Sequence, residues 1–313
     1  MSTPLRLGTR ASVLATTQSG HVADALREAT GREVELVPIT TDGDVLTGPL
    51  AQLGGTGVFV AALREALLRG ECDLVVHSMK DLPTAPVDGL VIGAVPPRAP
   101  QNDVLCARDG LTLDMLPQGA VVGSGSPRRV AQLRRRRPDL DVRGIRGNVD
   151  TRLRKVRDGE FDATVLAEAG LTRMGLTGEA TDRFALSEWP TSAGQGALAV
   201  EVRTDDPALA EVVARIGDAV STRNALWERE VLRLLEAGCA APVGISAHSD
   251  GEAVALLAEV YSLDGSEAVR ATRSLPAEAL ATDEARRSAA VDVVDELLRA
   301  GAGELADLSG SGA

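Results

Sequence analysis

DLVVHSMKDLP, Asp73 to Pro83, is the stretch from which the fold can be read. Leu74, Val75 and Val76 form a short apolar run of the kind buried on both faces of a sheet. The composition turns polar at His77, Ser78, Lys80 and Asp81, and Pro83 blocks continuation. The pattern predicts a strand ending in a polar loop. Open α/β sheets carry their chemistry just beyond the carboxyl ends of strands, so an adjacent acid and base here are candidate site residues. A turn in which Asp81 bonds its own backbone is the competing reading.

Upstream, Leu5 to Gly8 reads as a strand. Thr9, Arg10 and Ser12 lead into a helix in which Leu14, Gln18, Val22, Ala25 and Leu26 recur at helical spacing until Gly31. Ser12 is the expected N-cap, and Arg10 beside the unpaired N–H groups of a helix start would welcome a carboxylate or phosphate. Glu33 to Ile39 alternates like a strand. The glycine-rich segment GDVLTGPLAQLGGTGVFV, from Gly43, reads as a mobile flap, and Val58 to Arg69 as a helix capped by Gly70. Alternating strands and helices predict a parallel sheet.

Downstream, Leu90 to Val95 is a further strand and the proline cluster PPRAP, Pro96 to Pro100, a hinge. Val121 to Gly123 reads as a strand, after which GSGSPRR opens a helix with Ser126 as N-cap and Pro127 at the first helical position. Between Arg128 and Arg157, twelve arginines and lysines stand against three aspartates, a surplus of nine in a chain whose net charge is −12. A solvated helix face accounts for Arg134 to Arg137. It does not account for Arg128 and Arg129 at a helix start, where the macrodipole disfavours cations, and an anionic ligand would resolve that conflict. Val142 to Ile145 and Phe161 to Leu166 are expected strands, with helices in RGNVDTRLRKVRDG and over Ala167 to Met174. WPTSAGQGALAVE, with small residues on both sides of Gln195 and then a strand, suits a crossing back to the first domain. Beyond Gly217 come a long helix through Trp227 to Leu235, the loop GCAAPVG, strands at Val243 to Ala247, Val254 to Tyr261 and Val269 to Thr272, and a helix from Asp283 to Ala300. That is an α+β domain, and the tail LSGSGA is expected to be disordered.

A length of 313 residues suits two or three domains. The acidic net charge argues against general binding to nucleic acid or a membrane surface, and no stretch approaches the roughly 18 apolar residues of a spanning helix. Nothing near Met1 reads as a signal peptide. Cys72, Cys106 and Cys239 are odd in number and widely spaced, which fits a reducing compartment, the cytoplasm, and gives no zinc pattern. Cys72 and Cys106 sit in apolar surroundings and read as core residues. His21, His77 and His248 share no spacing, so no metal is expected.

Together, LGTRASVLA, the glycine-rich flap, VHSMKDLP, VGSGSPRR, RGNVDTRL, LTRMGL, AGQGALAVE and LEAGCAAPVG resemble, in order and over essentially the whole chain, the porphobilinogen deaminase family. The resemblance implies an α/β fold with two periplasmic-binding-protein-like lobes of parallel or mixed sheets and a smaller α+β C-terminal domain. The expected boundaries are 1–96 with 197–217, 97–196, and 218–313. It implies a transferase that joins four porphobilinogen units head to tail, with loss of ammonia, on a dipyrromethane primer attached to a cysteine by a thioether. A monomer acting on a small molecule is expected. Pyrrole acetates and propionates make the growing chain a polyanion, which guanidinium groups match bidentately, so an acidic protein with a basic cleft is consistent.

By motif, Asp81 corresponds to the catalytic aspartate, a counter-charge to the cations formed as the amine leaves and pyrrole attacks; Lys80 would hold a primer carboxylate. Arg10, Ser12 and Gln18 would meet incoming substrate, and Arg146, Arg152 and Gln195 would line the cleft. Ser78, Ser124, Ser126, Arg128, Arg129 and Arg173 would hold the primer, with Cys239 its attachment point. Gln52 and Thr56 stand where the family often carries flap lysines, and RAPQND, with Arg98 alone, replaces an acidic and arginine-bearing segment to which no role is assigned. One rival is a non-catalytic binding protein that closes two lobes on an organic polyanion; Cys239 and the third domain argue against it. Another is a transferase of phosphorylated substrates at the Ser126 helix start, but there is no phosphate loop and no metal-binding acid cluster.

Overall fold

The computed structural model describes residues 3–39, 57–237, 241–306 and 308. It comprises two units, one formed by Met1–Ala99 with Gly196–Thr222, the other by Pro100–Gln195 with Arg223–Ala313. In the first, β1 (Leu5–Thr9) runs into α1 (Val13–Thr30). Ser12 caps α1 by accepting from the Ala15 N–H at 3.4 Å, and Gly31 closes it at φ 66°. The buried face of α1 carries Val22, Ala23 and Leu26. There follow β2 (Val34–Pro38), α2 (Gly57–Leu68), β3 (Leu74–Ser78) and β4 (Leu90–Ala94). Leu74 and Val75 are wholly inaccessible, as a central strand requires.

The chain then builds β5 (Asp103–Ala107), β6 (Val121–Gly123), α3 (Pro127–Arg136), β7 (Asp141–Arg143) and α4 (Val149–Arg157). Next are β8 (Ala163–Ala167), α5 (Glu168–Arg173) and the two-residue β9 (Asp182–Arg183). β10 (Leu198–Arg203) and α6 (Pro207–Ala214) return to the first unit. The unit division falls within α7 (Ala219–Leu234), and β11 (Val243–Asp250), β12 (Ala253–Tyr261), β13 (Ala268–Pro276), α8 (Asp283–Arg299) and α9 (Ala302–Leu305) follow among the described residues. The strand β5 and the helix α6 have no counterpart in the sequence reading.

The first sheet has the order β2-β1-β3-β10-β4 and the second β7-β6-β8-β5-β9. Both are mixed, as the expected fold of parallel or mixed sheets allows, although the alternation of strands and helices alone pointed to a parallel sheet. β1 is parallel to β2 and β3, but β10 runs antiparallel to β3 and β4. β6 is parallel to β7 and β8, but β5 runs antiparallel to β8 and β9. The chain enters β10 at the edge where β3 leaves the sheet, Leu198 opposite Ser78, and so runs back along it. The third sheet is the antiparallel meander β11-β12-β13, its core filled by Trp227 and Val231 of α7, the alternate residues Val254, Leu256, Ala258 and Val260 of β12, and Val293 and Leu297 of α8. The fold is α/β with two five-stranded sheets and a smaller α+β C-terminal domain. Among the described residues no helix is long and apolar enough to cross a membrane.

Candidate functional site

In the first unit, the parallel neighbours β1 and β3 release their carboxyl ends at one edge. That edge receives Arg10 and Ser12 after β1, and Ser78, Lys80 and Asp81 at the end of β3. A 3-10 turn over Met79–Asp81 fixes the second group. Met79 and Leu82 are buried at 0% and 3% exposure, while Lys80 and Asp81 between them are half-buried. The Met79 N–H donates to the Ala197 carbonyl at 3.0 Å, tying the turn to the segment entering β10. Beside it, the buried Ser19 hydroxyl donates to Thr9 Oγ1 at 2.8 Å and secures the β1–α1 connection, with Gln18 buried on the same helix.

One residue before Ser78, His77 points into a buried charge cluster that its sequence gave no reason to suspect. Its Nε2 lies 3.0 Å from Glu201 Oε2 on β10, and Arg64 of α2 grips the same carboxylate through Nε at 2.9 Å and Nη2 at 2.7 Å. Burial pushes the Glu201 carboxyl up, but the two hydrogen bonds from Arg64 and the nearby His77 imidazole outweigh it and bring its pKa down to about 2.

In the second unit, β6, β7 and β8 are aligned, so their carboxyl ends also share an edge. Ser124, Ser126, Arg128 and Arg129 follow β6, Arg146 and Arg152 follow β7, and Arg173 ends the helix after β8. Because β5 runs the other way, its first residue arrives at this same edge, Asp103 opposite Ala167. Ser126 takes the N-cap position of α3 without a side-chain cap bond; its own N–H donates to Ser124 Oγ at 3.3 Å. Asn148 does cap α4, accepting from Thr151 N–H at 2.9 Å. Arg146 is exposed, and Arg152 donates through Nε to the Gly147 carbonyl at 2.8 Å.

Asp103, which the sequence reading passed over, organises this edge at 0% exposure. Its Oδ1 accepts from Arg129 Nη2 at 2.6 Å and Gln195 Nε2 at 2.8 Å. Its Oδ2 accepts from Arg128 Nη1 at 2.8 Å, Arg129 Nε at 3.1 Å and Trp189 Nε1 at 3.0 Å. The conflict between two arginines and a helix start is thus met inside the chain by a carboxylate, so that clustering does not by itself call for the anionic ligand that would also resolve it. Burial pushes the Asp103 carboxyl up, but the charges of Arg128 and Arg129 overcome this and hold it far below the usual carboxylate range. Arg128 also donates to Gln132 Oε1 at 2.7 Å and to the Pro190 carbonyl at 3.1 Å. Farther out, burial and the charge of Arg129 lower the Arg152 pKa, and burial lowers that of Arg173 to about 10. The only local sign of Asp103's importance was an acid directly before the apolar run Val104 to Cys106.

The structure gathers Arg10, Ser12, Ser78, Lys80 and Asp81 on the edge of one unit, and Ser124, Ser126, Arg128, Arg129, Arg152 and Gln195 around that of the other. Cys239, Gln52 and Thr56, most of the glycine-rich flap and most of the LSGSGA tail lie outside the described residues. Cys72 and Cys106 are buried free thiols, pushed by burial to about 11 and about 12, as core cysteines should be. Among the described residues no group of three or more His, Cys, Asp or Glu could hold a metal ion.

Two family models match the chain: "Porphobilinogen deaminase, dipyromethane cofactor binding domain" over residues 5–211, and "Porphobilinogen deaminase, C-terminal domain" over residues 222–287. Similar proteins named porphobilinogen deaminase include that of Leifsonia xyli subsp. xyli, 53% identical, covering 98% of this chain and 95% of that protein. The one from Thermobifida fusca is 54% identical over 88% of this chain and 86% of its own length, and that of Cutibacterium acnes 50% identical over 98% of both. Among solved structures, a periplasmic substrate-binding protein of an ABC transporter from Coxiella burnetii aligns at 16% identity and a TM-score of 0.43, over 72% of this chain and 96% of that one. That likeness is too loose to bear on function.

Proposed function

Because the chain belongs to the porphobilinogen deaminase family, we propose that Asp81 is its catalytic carboxylate and that the arginine-lined edge of the second unit grips the primer and the growing chain. The family's enzymes are transferases of tetrapyrrole and heme biosynthesis that join four porphobilinogen units head to tail on a dipyrromethane primer, release ammonia and give hydroxymethylbilane. The alternative of a non-catalytic polyanion-binding protein is not favoured. Assay of ammonia release from porphobilinogen separates the two.

The observation that carries the reading is the Met79–Asp81 turn, whose buried Met79 and Leu82 hold Lys80 and Asp81 at the carboxyl edge of a central strand. The Asp81 carboxylate opposes the positive charge that develops as the amine departs and again as pyrrole carbon attacks, bonds pyrrole N–H groups and assists proton movement. Lys80 neutralises a neighbouring carboxylate. Arg10, Ser12 and Gln18 receive the incoming unit, while Arg146, Arg152 and Gln195 line its path and that of the elongating chain.

Ser78, Ser124, Ser126, Arg128, Arg129 and Arg173 hold the primer. When bound, by a thioether to Cys239, the dipyrromethane supplies the pyrrole terminus on which the first unit is added. The donor set fits such a carboxylate-bearing group. Two buried guanidiniums, Arg128 and Arg129, share the single carboxylate of Asp103, and Arg128 Nε is buried without a hydrogen-bond partner among the described residues. In domain terms the reading divides the chain into 1–96 with 197–217, 97–196, and 218–313. It describes a cytoplasmic monomer that needs no metal and engages neither nucleic acid nor membrane, in keeping with its net charge of −12.

Intact mass tests the covalent arrangement. Protein made in cells with a working tetrapyrrole pathway is expected to exceed its sequence mass by one dipyrromethane. Cys239→Ser should lose that excess together with activity, whereas Cys72→Ser and Cys106→Ser should keep both. Active enzyme weighing no more than the bare polypeptide rules the thioether out.

A further inference from the structure

Asp103 is the point at which three separate segments of the second unit meet. It begins β5, it receives both arginines of the first turn of α3, and it receives Trp189 and Gln195 from the stretch that precedes β10. A carboxylate offers about four lone-pair sites, and here five N–H groups converge on it, so its acceptor capacity is filled. Wholly buried and held ionised, it is unsuited to exchanging protons with a substrate. What it does control is orientation. Arg129 meets it in a fork, Nη2 on one oxygen and Nε on the other, which fixes the guanidinium plane, and Gln195 is pinned between Oδ1 and the Gln101 carbonyl, each at 2.8 Å. Trp189, itself packed at a tilt against Phe184 with ring centroids 4.3 Å apart, donates to Oδ2 at 3.0 Å. Charge is controlled too, since one carboxylate against two guanidiniums leaves the buried cluster cationic.

We propose that Asp103 is a positioning residue: it sets the orientations of Arg128, Arg129 and Gln195, and thereby where this unit can grip a carboxylate-bearing pyrrole chain. The inference rests on the reading of those three side chains as primer and substrate contacts. Moving a carboxylate needed only as buried counter-charge by one methylene would cost stability alone, whereas moving one that sets geometry would cost primer loading and substrate grip as well.

The test compares Asp103→Glu, which keeps the charge and displaces it, with Asp103→Asn, which keeps the shape and removes it, and with Arg129→Leu. All are purified from cells with a working tetrapyrrole pathway. Intact mass gives the fraction carrying primer, thermal melting gives stability, and KM and kcat for porphobilinogen are measured on the loaded fraction. Misplacement of a binding group by about 1 Å can cost up to about a hundredfold, so Asp103→Glu is expected to melt cooperatively yet load primer poorly. Its loaded fraction should show KM raised about tenfold or more with kcat nearly unchanged, the sign of lost ground-state gripping. Asp103→Asn should lose loading further. Complete loading and an unchanged KM in folded Asp103→Glu, whatever its melting temperature, overturn the proposal, and so does failure of both Asp103 variants to fold, which makes Asp103 a folding contact only. If Arg129→Leu loads fully with unchanged KM, the reading of the arginines as contacts is what fails. If Arg129→Leu loses primer while Asp103→Glu keeps it, the positioning role alone is refuted.

Discussion

An amide has the shape of a carboxylate without its charge, so Asp81→Asn isolates the counter-charge at the turn after β3. Groups of this kind are worth about 3 kcal/mol or more, and the variant is expected to fold normally but release ammonia at least about a hundredfold more slowly. Circular dichroism and a single-turnover assay check both halves; activity within a few-fold of the parent removes Asp81 from the chemistry. Glu201 makes a separate, pH-dependent prediction. Its folded pKa, about 2, lies below the ordinary 4.5, so it binds protons less readily folded than unfolded. The stability it contributes is therefore complete above the ordinary value and is lost as pH falls from 4.5 through about 2, by about 3 kcal/mol in total. Glu201→Gln should flatten that part of the acid limb in urea titrations while lowering stability at neutral pH, because Arg64 is left buried without its carboxylate. Parallel acid limbs in parent and variant would show that Glu201 is not the group responsible.

The elements are held by contacts that demand particular backbones. The tip of the β12–β13 hairpin packs on α3, where Gly265 takes φ 78° and an added Cβ would run into the Ala131 carbonyl. Arg134 and Arg135 of α3 donate to the hairpin carbonyls of Leu263 and Ser266, each at 3.3 Å, and Gln132 donates to the Tyr261 hydroxyl at 3.0 Å. Gln132 is also the acceptor for Arg128, so the third sheet buttresses the helix that starts with the buried arginines. Gly265→Ala combines a left-handed backbone with a steric conflict and is expected to cost about 2 kcal/mol or more, read as a lower melting temperature. Arg134→Ala, which loses one exposed and long hydrogen bond, should cost less than about 1 kcal/mol. Equal losses in the two variants would mean that the hairpin tip is not held by close backbone packing.

For the whole chain, the decisive fact is that the first unit is assembled from two distant stretches. β10 lies between β3 and β4, with Val200 and Val202 at 0% exposure, so the sheet made by residues 1–99 lacks an interior strand without it. A chain ending at Gln195 would leave the edges of β3 and β4 unpaired and much of the apolar core around Val76 and Ala94 open to water. Such a truncation is expected to aggregate or to lack the dispersed amide spectrum of a folded first unit. A chain ending at Thr222, which retains β10, should restore that unit's signals. A soluble, cooperatively folding first unit in the shorter chain would contradict the structure.

What the sequence determined by itself was the local grammar. Ser12 and Gly31 bound α1, Pro127 opens α3, and DLVVHSMKDLP becomes a buried strand followed by a turn that presents Lys80 and Asp81, because caps, proline and apolar periodicity act within a few residues of one another. The family motifs were legible for the same reason, each being a short contiguous string. Tertiary structure alone decided the direction of β10 and β5, the union of His77 with Arg64 and Glu201, and the place of Asp103. The partners of Asp103 stand 25, 26, 86 and 92 positions away, so no window of sequence contains them. An aspartate before an apolar run is an ordinary strand start until an antiparallel neighbour brings it to the carboxyl edge of β8. There, removed from water, a single negative charge has to be satisfied by whichever donors the topology has placed around it.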